Sequence, residues 1–172
     1  MTAPETPLDW SSLTVLVVDD HMYFRQICLS VLKGAGTGRI LQAGDGAQAL
    51  SLLKVQPVDV ALIDFVMVPL DGIELCRMIR TASDSSNPYL PILLVTGHTT
   101  QKTLVEALSA GVHDFIAKPI TAKSLTQRIE RVIQDQVPFV RNGRYFGPDR
   151  SLMLKKRAER QEKLKANTAM IG

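Results

Sequence analysis

Residues 13–20 read Leu-Thr-Val-Leu-Val-Val-Asp-Asp. A short, β-branched apolar run that ends abruptly in two acids predicts a strand covered on both faces, because a half-exposed strand would alternate apolar with polar side chains. The same grammar recurs downstream. Val58–Ile63 is apolar apart from Asp59 and runs into Asp64, Ile92–Val95 runs into Thr96-Gly97, and Val112–Ala117 runs into Lys118-Pro119. Ile40-Leu41 is a weaker strand signal. Between these runs the apolar period changes to that of a helix. Phe24, Ile27, Cys28, Val31 and Leu32 mark a helix over 22–33, stopped by Gly34 and Gly36. Further helices are expected over 45–56, 71–83, 100–110 and 121–134, and the polar stretch 83–91, with two prolines, is a loop. Five strands alternating with five helices through short connections predict a parallel sheet with helices on both faces.

The composition sets bounds on function. The chain has 172 residues, 45% of them hydrophobic and 22% charged, which suits a globular domain with an appendage. No apolar run is long enough to span a bilayer, and Met1–Trp10 lacks the basic and apolar blocks of a secretory signal. Two cysteines, Cys28 and Cys76, cannot build a disulfide scaffold, so a reducing cytoplasm is the expected setting. The net charge of +3 hides an asymmetry. Residues 1–136 hold 11 Lys and Arg against 14 Asp and Glu, a net of −3, whereas residues 137–172 hold 9 against 3, a net of +6. The expected organisation is a loose lead-in over 1–12, a globular domain over 13–136 and a basic extension over 137–172 with a helix over 150–166.

Ligands of an open parallel sheet bind beyond the carboxyl ends of its strands, where the strand order reverses. The residues at those ends are Asp19, Asp20, Asp64, Thr96 and Lys118. Three carboxylates on one rim repel each other and raise one another's pKa, which a hard divalent cation such as Mg²⁺ relieves. Thr96 can donate to an anionic oxygen and Lys118 supplies a compact positive charge. The set suits phosphoryl transfer with one carboxylate as nucleophile. Each residue alone has a plainer explanation: an Asp at a strand end caps the next helix, and a loop Lys is solvated. The conjunction of four strand ends carries the argument.

The segments Val15–Asp20, Asp59–Gly72, Ile92–Gly97 and Phe115–Pro119 resemble the receiver domain of bacterial two-component response regulators, over roughly residues 13–135. The resemblance implies a flavodoxin-like, doubly wound, five-stranded parallel sheet of order 2-1-3-4-5. It implies that Asp64 accepts a phosphoryl group from a sensor histidine kinase or a histidine phosphotransfer protein. It further implies that Asp19, Asp20, Asp64 and the backbone carbonyl of Val66 hold Mg²⁺, and that Thr96 and Lys118 contact the phosphoryl oxygens. Thr96 and Phe115 would form the switch, and Lys118-Pro119 would be joined by a cis peptide. The segment Asp64-Phe-Val-Met-Val-Pro-Leu-Asp-Gly72 departs from the family pattern Asp-x-x-Met-Pro-x-x-Asp-Gly: Val68 takes the proline slot and Pro69 follows it, so an altered loop path is expected. Val66 is apolar where many relatives are polar, and His98 lies near the site or on a surface loop.

The extension mixes Phe139, Tyr145 and Phe146 with arginines, carries the turn signals Asn142-Gly143 and Gly147-Pro148, and ends in a basic helix. At about 36 residues it is too short for an ordinary output domain. It would dock on a partner protein, or on a second copy of the chain through the tail or residues 99–135. Otherwise it would bind nucleic acid in a transcription regulator, or stay solvated and frayed. A phosphatase with an aspartyl nucleophile wants an Asp-x-Asp pattern after the first strand, and a dinucleotide enzyme wants a glycine-rich turn there; neither is present. The expected activity is a phosphorylation-controlled interaction switch that assists only its own phosphorylation and dephosphorylation, with no membrane partner.

Overall fold

The structure, a computed structural model, describes residues 7–97 and 100–170. The strands are β1 (Thr14–Val18), β2 (Arg39–Ala43), β3 (Val60–Asp64), β4 (Ile92–Thr96) and β5 (Asp114–Ala117). They form one parallel sheet of order β2-β1-β3-β4-β5. Helices α1 (Met22–Gly34), α2 (Gly46–Val55), α3 (Gly72–Thr81), α4 (Gln101–Ser109) and α5 (Ala122–Gln134) follow the strands in turn.

The apolar strand runs are divided between two cores by the two-residue period of the pleat. Leu16, Val18, Ala61, Ile63, Ile92 and Leu94 face one core, closed by Ala49 and Leu53 of α2, Ile73, Leu75, Cys76 and Ile79 of α3 and Ala107 of α4. Val15, Val17, Val60, Leu62, Leu93, Val95 and Ile116 face the other, closed by Cys28 and Leu32 of α1 and Leu125, Ile129 and Val132 of α5. Both cysteines are buried free thiols, and burial pushes them up to about 12 for Cys28 and about 11 for Cys76, so neither is a ready nucleophile.

Three features differ from the sequence expectation. The lead-in is partly folded: Trp10–Ser12 form a 3₁₀ turn, capped by the side chain of Asp9, and Leu8 and Trp10 pack against the α1–α5 core. The Val68–Pro69 peptide is cis, in addition to the expected cis Lys118–Pro119. The extension contains a hairpin, β6 (Phe139–Asn142) paired antiparallel with β7 (Tyr145–Pro148), before helix α6 (Arg150–Met170). Gly143 takes a φ of 56° at the first position of the two-residue hairpin loop, where the primed turns need positive φ.

The loop from β3 into α3 fixes the position of Asp64. Asp71 caps α3 in a reciprocal box with Glu74, and Gly72 then lies against the sheet, where an added Cβ would stand 2.3 Å from the carbonyl oxygen of Asp64. The Gly72→Ala variant should therefore be destabilised by about 1–3 kcal/mol through backbone displacement. Urea denaturation of the two proteins checks this; an unchanged midpoint would contradict the close approach.

Candidate functional site

The order of the sheet sets β1 beside β3, and the chain leaves the sheet in opposite directions on either side of that pair. A crevice opens there beyond the strand ends. Asp19 follows β1, Asp64 ends β3, Thr96 ends β4 and Lys118 follows β5. Asp19, Asp64 and Thr96 are almost wholly buried, at 1%, 4% and 2% exposure.

Lys118 joins them. Its Nζ lies 2.8 Å from Asp64 Oδ1 and 3.2 Å from Asp19 Oδ2. The ammonium also stands 4.0 Å from the ring centroid of Phe24, whose π face adds to its attraction. Asp19 is anchored independently of Lys118: its Oδ1 accepts from the backbone N–H of His21 at 2.8 Å, and its carbonyl accepts from Arg25 Nη1 at 2.6 Å.

Burial pushes the Asp64 carboxyl above the usual carboxylate range, and the charges of Asp19 and Asp20 add to that; the hydrogen bond from Lys118 opposes it without cancelling it. For Lys118 burial works downward, but the hydrogen bond to Asp64 and the charges of Asp64 and Asp19 outweigh it and hold the ammonium above its ordinary value. The site therefore keeps its cation firmly and resists a net excess of negative charge.

Asp19, Asp20 and His21 place ligand atoms within 4.8 Å of one another. Asp64 is linked to Asp19 of this group through Lys118. Sequence reasoning missed two members of the site. His21, directly after the acid pair, sets Nδ1 2.8 Å from Asp20 Oδ1, and Phe24 lies under Lys118. The run Asp19-Asp20-His21 was a visible signal for the first, but Phe24 meets Lys118 because the lysine reaches back from the end of β5 to Asp64 and Asp19, which no spacing encodes. Val66 lies in the loop just after Asp64 with its side chain 65% exposed, and Phe115 is half-buried against the α2–α4 core. His98 lies outside the described residues.

This crevice on a five-stranded parallel sheet matches a known class. Residues 15–130 match the family model of the response regulator receiver domain, and the chain belongs to that family. It is 32% identical over 123 residues to the chemotaxis protein CheY-3 of Vibrio cholerae, covering 72% of this chain and 93% of the relative. Its identity to the chemotaxis protein CheY of Pseudomonas aeruginosa is 33% over 122 residues, covering 71% and 97%. Among solved structures it resembles chemotaxis protein CheY4 of V. cholerae with a TM-score of 0.64 and 29% identity, over 70% of this chain and 98% of that one. It also resembles the receiver domain of the sensor histidine kinase PA1611 from P. aeruginosa, solved with a magnesium ion coordinated in the active-site cleft, with a TM-score of 0.63, 28% identity and coverage of 70% and 97%.

The raised pKa of Asp64 gives a pH-dependent expectation. A carboxyl whose folded pKa lies above its unfolded value binds more protons when folded, so its ionisation costs stability as pH rises from about the ordinary value of 3.8 through the raised one. Asp64→Asn, which mimics the neutral form, should raise the unfolding free energy at pH 7, with the advantage shrinking as pH falls toward the ordinary carboxylate range. Urea titrations of both proteins across that range check it, and a variant less stable at pH 7 would contradict the assignment.

Proposed function

We propose that the protein is a response regulator that takes a phosphoryl group onto Asp64 from a sensor histidine kinase or a histidine phosphotransfer protein and works as a phosphorylation-controlled interaction switch. The observation that carries this reading is the single ammonium of Lys118 held between two buried carboxylates, Asp64 and Asp19, at the reversal of strand order. One of them is a nucleophile beside a fixed cation, and the other is a fixed anion that demands a further positive charge.

The donor set fits Mg²⁺: Asp19 and Asp20 offer hard oxygens, Asp64 at the end of β3 shares Lys118 with Asp19, and Val66 two residues on would supply a backbone carbonyl. When bound, the ion would neutralise charge on the transferring phosphoryl oxygens. Asp64 forms the new O–P bond as the N–P bond of a phosphohistidine donor breaks, and the leaving imidazole takes up a proton. Lys118, already seated on Asp64, moves onto the incoming phosphoryl oxygens, and the Thr96 hydroxyl stands on the neighbouring strand end to donate to another. Hydrolysis of the acyl phosphate restores the carboxylate. The chain assists these two steps on itself and needs no other substrate.

A protein donor also needs a surface. Met22, Tyr23 and Ile27 of α1 and Val66 and Val68 of the β3–α3 loop are large apolar side chains left exposed close to the crevice. Such a patch beside a phosphoacceptor suits a partner protein. The nucleic-acid reading of the tail finds less support. Arg150, Arg157 and Arg160 turn inward onto the domain, so much of the basic excess is used internally. Among the described residues no helix is long and apolar enough to cross a membrane. The two buried free thiols suit a reducing, cytoplasmic setting.

Incubation with Mg²⁺ and acetyl phosphate should add one phosphoryl group to the wild-type mass and none to Asp64→Asn; equal modification of both would overturn the assignment. The exposed, apolar Val66 cannot hold a hydrolytic water by hydrogen bonding. Val66→Asn should therefore shorten the lifetime of the acyl phosphate several-fold, read as the decay of the phosphorylated mass after donor removal. An unchanged lifetime would remove Val66 from that role.

A further inference from the structure

The extension is clamped to one end of β5, and the phosphoacceptor's cation sits at the other. β5 has four residues. Lys118 follows its last residue and Asp114 is its first, so about 13 Å of extended chain separates them. As the edge strand, β5 pairs only with β4.

Asp114 is 1% exposed and is the hub of the clamp. Its Oδ2 lies 2.8 Å from Arg128 Nη1 and 3.8 Å from Arg131 Nη1, both on α5, while its Oδ1 lies 3.1 Å from Arg157 Nη2 on α6. The same Oδ1 accepts from the backbone N–H of Phe115 at 3.0 Å. Arg150, at the start of α6, donates to the carbonyl of Leu108 at 3.0 Å and to that of Val112 in the α4–β5 connection. Arg160 reaches Asp135 Oδ2 at 3.2 Å. Beneath, Phe139 and Phe146 of the hairpin pack edge-on against Tyr89, and Phe139 packs against His113. Beyond Arg160 the helix surface is exposed as far as Ala166.

We propose that β5 transmits the state of Asp64 to α6. This rests on Asp64 being the phosphoacceptor. In the unmodified protein Lys118 is held by two carboxylates. Phosphorylation makes one Asp64 oxygen part of an acyl phosphate and moves the negative charge outward onto the phosphoryl oxygens, so Lys118 re-seats on them and carries the end of β5 with it. The strand is short and bound on one side only, so the shift reaches Asp114 and the carbonyls gripped by Arg150. The hydrogen bonds of the clamp weaken steeply once their angles fall toward about 120°, and the 3.1 Å contact of Arg157 holds only while Asp114 keeps its place. The clamp fitted to the unmodified state therefore loosens, and α6 is released from α5 and β5.

Hydrogen exchange on the full chain, read by mass with Mg²⁺ and acetyl phosphate, tests this. In the phosphorylated fraction, peptides from residues 139–160 should exchange roughly fivefold faster or more, while those of α1 and β2 stay unchanged. A phosphorylated protein with unaltered protection of 139–160 overturns the relay. No mass gain in the wild type overturns the phosphoacceptor reading itself and the relay with it, and the same spectra tell the two failures apart. Arg157→Ala should raise exchange over 139–160 without phosphorylation, so that phosphorylation then adds little further exchange there, with the exposed Lys163→Ala as control. A phosphorylation-dependent rise over 139–160 as large in Arg157→Ala as in the wild type would reduce the clamp to a structural role and overturn the relay.

Discussion

The ammonium of Lys118 between Asp19 and Asp64 is the interaction on which the site depends. Removing two carboxylates from water costs several kcal/mol for each ion, and only close opposite charge with well-formed hydrogen bonds offsets that. One ammonium answers two carboxylates, and burial first, with the neighbouring charges of Asp19 and Asp20 adding to it, keeps the pKa of Asp64 raised. That excess of carboxylate over ammonium is what the proposed phosphoacceptor role draws on. The sheet tolerates it because the strands beneath are buried on both faces and hold the carboxylates where they repel.

The extension applies the same electrostatics at the opposite end of the sheet. Arginine suits the task because its planar fork can address a carboxylate and carbonyls together. Arg157 meets Asp114, and Arg150 meets main-chain carbonyls of the α4–β5 connection. A buried arginine of α3, Arg80, does likewise from the other side: it donates to the carbonyls of Gly111 and Leu90 and stacks on Phe139. The hairpin is thereby continuous with the packing of the domain.

Much of this was legible in the residues. The five strands could be read because a parallel sheet buried on both faces writes itself as uninterrupted apolar runs, and the acids, threonine and lysine at their ends marked the crevice. The hairpin was not, although Asn142-Gly143 announced a turn. Strands of four residues carry too little alternation to be told from a loop, and Phe139 and Phe146 become intelligible only against Tyr89 and His113. The inward turn of the tail's arginines was hidden for a related reason. A count of charges cannot tell a guanidinium facing water from one facing Asp114, 43 residues before Arg157 in the chain.

By itself the sequence determined the alternation of strands and helices, the two-sided burial of the sheet and the chemical kinds of side chain at the strand ends, because these follow from local periodicity and from where apolar runs stop. Only the tertiary structure decided which carboxylates share Lys118, that Phe24 lies under its ammonium, and that three arginines of the tail are turned inward. Those outcomes are set by distances between residues remote in the chain, which strand order and helix packing impose and no local spacing records.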